Sequence, residues 1–175
     1  MVDFSTSIVI DAPPEVVFAH LVDADRMVLW MGERADLQPQ PGGRFAVDIN
    51  GTPFRGEYLV VDPPRRVVVS WGMAGSADLP PGSSRVEFTL TAIPSGTALS
   101  LNHTDLPETR AQTHSSGWGH YLGRLRVAAP GGDPGADTWR PSLSPEGTHS
   151  VSPEGIHSAA DRSSAISFPR GDPST

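Results

Sequence analysis

The sequence predicts an α+β fold: a curved antiparallel sheet covered by a long C-terminal helix, with two short helices after the first strand. Three observations carry this reading. An apolar-alternating stretch near the N-terminus runs directly into residues at helical spacing. A series of further alternating stretches follows, separated by turn residues. A single long helical pattern then closes the patterned part of the chain. A sheet that alternates in this way has one wet face and needs a cover on the other, and the last helix supplies it.

The elements follow in order. FSTSIVI places Phe4, Thr6, Ile8 and Ile10 on one face, the signature of a half-buried strand. Asp11 offers a helix cap and the following prolines suit a first turn. Val17, Phe18 and Leu21 recur at helical spacing, and Asp23 is placed to cap a second short helix ending near Trp30. Pro41-Gly42-Gly43 turns the chain into RFAVDI, with Phe45, Val47 and Ile49 inward and Arg44, Ala46 and Asp48 outward. Asn50-Gly51 is the strongest hairpin signal in the chain. FRGEYLVVD, a PPRR turn and VVVSWGM continue the meander. Val86, Phe88, Leu90 and Ala92 then share a face, and so do Leu99, Leu101 and His103.

The closing helix is predicted over 108–129, with an inward stripe of Ala111, Ser115, Trp118, Leu122, Leu125 and Ala129. Its first half is built of small residues: Ala111, Ser115, Ser116, Gly117 and Gly119. Glycine inside a helix costs roughly 1 kcal/mol against alanine. Small residues there either draw the backbone close to the sheet or leave a gap walled by Trp118.

The ordered domain is expected to span 1–129. From 130 to 175 proline, glycine and serine dominate, with a short repeat, SPEGTHSV then SPEGIHSA. Such a segment cannot bury enough apolar surface to offset its chain entropy, so it reads as a disordered tail. Truncation after Ala129 is expected to leave the melting temperature almost unchanged. His149 and His157 make no metal site by themselves.

Composition closes off several functions. There is no cysteine, hence neither a disulfide nor a thiolate metal site. The net charge of −7 argues against nucleic acid and anionic membrane as partners. All 13 basic residues are arginine, which removes lysine-based Schiff-base chemistry. No signal peptide or transmembrane run is legible, so a cytoplasmic location is the expectation.

The motifs DADRMVLWMG, PGGRF, GEYLVVDPPRRVVVSW, GTALSLNHTDLP and GWGHYLGRL, in that order and spacing, resemble the Hsp90 ATPase activator homologue (AHSA1)-like branch of the START-like superfamily, also called SRPBCC or Bet v 1-like. The resemblance covers nearly all of residues 3–126 and implies the helix-grip fold. It also implies an internal cavity that takes hydrophobic molecules, in some members with cyclase or hydrolase activity. The Hsp90-stimulating namesakes carry an additional N-terminal domain, so Hsp90 is not the expected partner of this chain. A homodimer stays open.

The resulting expectation is binding of a hydrophobic or amphipathic small molecule, without cofactor, metal or established catalysis. The candidate ligand-binding residues are Trp30, Phe45, Val47, Phe54, Trp71, Phe88, His103, Ser115, Trp118 and Leu122. Sequence alone leaves open whether these rings fill a core or line a pocket. His20, His103, His114 and His120 are the titratable candidates. An enzyme alternative would use His103 oriented by Asp105. PGGRF is a hairpin turn and no phosphate loop. Arg55 and Glu57 share one face of their strand, and Arg85 and Glu87 one face of another, so cross-strand ion pairs on the wet face are expected.

Overall fold

The computed structural model describes residues 1–141. The tail repeat and both of its histidines lie outside the described residues. Strand β1 (Val2–Ile10) leads into helix α1 (Pro14–Val22) and the single-turn α2 (Ala24–Met27). Strands β2 (Arg34–Leu37), β3 (Arg44–Ile49), β4 (Thr52–Asp62), β5 (Arg66–Trp71), β6 (Ser84–Ile93) and β7 (Gly96–Leu106) follow, and helix α3 (Glu108–Ala128) closes the fold. The seven strands form one antiparallel sheet in the order β1-β7-β6-β5-β4-β3-β2. This is the predicted α+β architecture.

Most local signals work as their chemistry requires. Asn50 (φ 49°) and Gly51 (φ 77°) make the tight turn between β3 and β4. Their backbone N–H groups both donate to the Glu33 carboxylate, at 2.8 Å each. The Asp23 side chain caps α2 by accepting from the N–H groups of Asp25 and Arg26. Asp11, by contrast, caps nothing: α1 starts after Pro13 without a side-chain cap bond. The wet face is laced by cross-strand pairs, Arg55 to Asp48 at 2.8 Å and Arg66 to Glu87 at 3.0 Å.

Three local readings need correction. β2 is a strand that the sequence pattern does not announce: it is four residues long, with Arg34 and Asp36 exposed. It forms the sheet edge, where brevity and charge discourage pairing with another chain. Ala46 is buried although it lies on the outward face, because its register partners Asp36 and Arg55 flank it. Ala92 is exposed, beyond the part of the sheet that the core covers.

On α3 the buried face comprises Trp118, Tyr121, Leu122, Leu125 and Ala128, packed against Leu99, Leu101, Val86 and Phe88 among others. Ala111 and Ser115, predicted inward, are only half-buried. Past Ala129 the described chain stays close to α3. Gly131 (φ 100°) ends the helix, and its N–H donates to the Ala128 carbonyl at 2.9 Å. The next residues then run back along α3, with Arg124 Nη1 donating to the carbonyls of Pro134 and Gly135.

Candidate functional site

The first half of α3 lies over a cavity of about 190 Å³. Its walls are aromatic: Phe54 from β4, Trp71 from the end of β5, His114, Trp118 and Tyr121 from α3, and Trp139 from the segment after the helix. Met31, Ile49 and Met73 complete the apolar lining, while Asn50, Thr52, Arg110 and Thr113 supply polar atoms. The rings brace one another, with centroids 4.6 Å apart for Phe54 and Trp71 and 5.2 Å for Trp71 and Trp118. Both pairs are tilted, at 33° and 48° between planes, and ring contacts at such distances stabilise the wall in addition to its buried area.

A directed hydrogen-bond chain supports this wall from behind. Trp118 Nε1 donates to His103 Nδ1 at 3.0 Å. His103 Nε2 therefore carries the proton and donates to Ser84 Oγ at 2.8 Å. Ser84 Oγ in turn donates to the Trp71 carbonyl at 2.9 Å. His103 is fully buried, and burial, with the nearby His114 adding to it, pushes its pKa down to about 3. It is a neutral structural histidine at physiological pH. His114 is likewise pushed down by burial, its Nδ1 donating to the Arg110 carbonyl at 3.1 Å while its Nε2 accepts from Trp71 Nε1 at 3.4 Å.

At the cavity rim Arg110 grips Asp78 through Nε at 2.7 Å and Nη2 at 2.8 Å. That fork, with Ser76 assisting, holds the Asp78 carboxyl well below the usual carboxylate range. Tyr121 donates its hydroxyl to Asp137 at 2.6 Å, and burial followed by that bond pushes its pKa up. Among the described residues no buried side-chain polar atom lacks a partner. The cavity thus presents rings and hydrogen-bonding atoms, with its histidines and tyrosine already engaged.

The predicted site residues divide sharply. Phe54, Trp71 and Trp118 line the cavity. Phe45, Val47, Phe88 and Leu122 are core residues under the helix, and His103 lies one layer behind Trp118. Trp30 is fully buried below α1, its Nε1 donating to the His20 carbonyl at 2.9 Å. Ser115 is half-buried and outside the cavity wall. The His103–Asp105 couple does not exist: Ser84 and Trp118 occupy the imidazole, while Asp105 is exposed in a left-handed kink at φ 62°. His20 faces the Val16 carbonyl at 2.8 Å. His120 lies 2.9 Å from Asp137 and stacks on Trp139.

Sequence reasoning missed Tyr121, Arg110 and Trp139, and named His114 only as a titratable group, not as part of the lining. Tyr121 lies three residues after Trp118 and could have been read from helical spacing. Trp139 gave one weak signal, a single large ring in a segment otherwise poor in them. A second, wider recess of about 440 Å³ shares Asn50 with the cavity and is lined by Glu33, Arg124 and Asp137, all engaged in the contacts above. Among the described residues no group of three or more His, Asp or Glu side chains could hold a metal ion, and no helix is long and apolar enough to cross a membrane.

Comparisons with known proteins follow the same outline. The family model described as Activator of Hsp90 ATPase homolog 1-like protein matches residues 11–129. Among solved structures, an AHSA1-like protein from Rhizobium etli is 40% identical, with 79% of this chain and 88% of that one covered and a TM-score of 0.65. The Aha1 dimer from Colwellia psychrerythraea is 19% identical, with 74% and 96% covered and a TM-score of 0.66. An HSP90 activator from Plasmodium falciparum is 22% identical, with 71% and 94% covered and a TM-score of 0.59. At those two lower identities the likeness is one of fold. No curated protein matches the chain.

Proposed function

Because the chain belongs to the Activator of Hsp90 ATPase homolog 1-like family, with the helix-grip fold of its relatives, we propose that it uses the space under α3 to bind a small apolar or amphipathic molecule without transforming it. The observation that carries this reading is the cavity of about 190 Å³ walled by Phe54, Trp71, Trp118, Tyr121 and Trp139. An engineered apolar cavity of about 150 Å³ takes up benzene, so this one suits a single ring with a polar substituent and is too small for a sterol. Asn50, Thr52 and Thr113 offer groups to orient that substituent. The engaged histidines favour binding over turnover, since neither His103 nor His114 has a ring nitrogen free to act as base. A cytoplasmic site of action belongs to the same reading.

The test is a melting-temperature and NMR titration with phenol, p-cresol and palmitate as probes. Phenol and p-cresol should raise the melting temperature and shift the indole signals of Trp71 and Trp118, and palmitate should do neither. Absence of any shift with both single-ring probes would sink the reading. Family membership itself favours a second reading, stimulation of an Hsp90 ATPase. An Hsp90 turnover assay unchanged by added protein dismisses it. Self-association, of the kind named for the Colwellia psychrerythraea relative, is measured by sedimentation of the same preparation.

A further inference from the structure

Residues 130–141 lie beyond the stretch that the family model matches, yet they build one wall of the cavity. Trp139 stacks on His120, with centroids 5.5 Å apart and planes 24° from parallel. Its ring also lies over Gly117, where an added Cβ would meet it at 3.7 Å. One carboxylate organises the segment. Asp137 Oδ2 accepts from the Tyr121 hydroxyl at 2.6 Å, and Oδ1 accepts from the Trp139 backbone N–H at 2.9 Å and faces His120 Nε2 at 2.9 Å. Asn50 Nδ2 donates to the Trp139 carbonyl at 2.9 Å.

These attachments differ from those of the core. In the segment 133–141 only Trp139 packs against the hydrophobic cluster; the other ties are hydrogen bonds near the surface. Gly131 (φ 100°) and Gly135 (φ 72°) occur at its start, where the chain can change direction at no side-chain cost. A segment with few apolar contacts and one polar clasp opens at far lower free energy than the sheet beneath it.

We propose that residues 133–141 form a lid latched by Asp137, and that Trp139 sets which ligands the cavity admits. The role of Trp139 in selection rests on the binding reading above; the latch does not.

Hydrogen exchange on the full chain without added ligand tests the latch. Asp137→Ala removes the bonds that converge on one carboxylate, so exchange at 135–141 should rise by about tenfold or more, with β6 and β7 amides unchanged. Exchange unchanged in the segment, or raised equally across the sheet, overturns the lid. Selection is tested with phenol and 2-naphthol on the wild type and on Trp139→Ala. Removing the indole should shift the affinity ratio toward 2-naphthol by roughly tenfold. An unchanged ratio overturns the role of Trp139. If neither probe binds either protein, the binding reading falls and selection with it, while the exchange result still decides the latch.

Discussion

The two halves of α3 rest on the same sheet and treat it differently. After Trp118, Leu122 and Leu125 are buried to 1% and 0% exposure and close the core by direct packing. Before it, Thr113, His114 and Gly117 face a cavity, and Ala111 and Ser115 are only half-buried. Packed core and cavity are therefore separable along one helix, with Trp118 as the partition. Its indole seals the core on one side, against Phe88, and walls the cavity on the other, against Trp71.

The sharpest way to break this comparison is to truncate one side chain in each half. Leu125→Ala should cost about 2–5 kcal/mol by leaving a cavity in a packed core, whereas Ser115→Ala should change stability by less than about 0.5 kcal/mol. Urea unfolding of both variants measures the contrast. Similar losses would mean that the halves are energetically alike.

Acid should attack the partition itself. His103 holds a proton only below about 3 when folded, against about 6.5 for an unfolded histidine. The unfolded chain therefore binds more protons between those values. The stability from this site is complete above about pH 6.5 and falls as the pH drops toward 3, by up to about 1.4 kcal/mol per pH unit. His114, also depressed, acts in the same direction. His103→Gln keeps an acceptor for Trp118 but cannot titrate, so it should flatten the slope of urea midpoints against pH. A slope as steep as wild type would refute the assignment.

Truncation after Ala129 sharpens the comparison from the cavity side. It removes Asp137 and Trp139 and leaves the Tyr121 hydroxyl unpartnered by them, so a loss of about 1–3 kcal/mol is expected. The sequence alone suggests almost none, and calorimetry of the two chain lengths decides. The smallest effect has the opposite sign. An added Cβ at Gly119 or Gly123 would meet nothing within 4 Å. Gly119→Ala and Gly123→Ala should therefore each stabilise the helix by about 0.5–1 kcal/mol, seen as a small rise in melting temperature. Their outward position also corrects the idea that Gly119 makes room beneath Trp118. Of the glycines beside Trp118, only Gly117 borders the cavity.

Much of the fold was legible because it follows from local periodicity. Alternation placed β1, β3, β6 and β7, Asn50-Gly51 placed the hairpin, and helical spacing placed Trp118, Leu122 and Leu125 on one buried face. β2 was not legible, since an edge strand with Arg34 and Asp36 in solvent carries no strong apolar pattern. The cavity was half legible. Phe54, Trp71 and Trp118 were named, but Phe45, Phe88 and Trp30 have the same chemistry and belong to the core. His103 shows why: its place between Leu101 and Asp105 suggested a catalytic couple, and its contacts are with Ser84 and Trp118, 19 and 15 residues away in the chain.

By itself, then, the sequence determined the α+β class, the order of most elements, the buried stripe of α3 and the family resemblance. The class, the elements and the stripe rest on contacts within a few residues or on a repeating period, and the resemblance on motifs in linear order. Only the tertiary structure decided which rings surround empty space, which ring nitrogens are spent, and that Trp139 returns from a proline- and glycine-rich segment to wall the cavity. Those outcomes depend on pairings between distant residues, and an apolar ring has the same composition whether it meets a neighbour or a void.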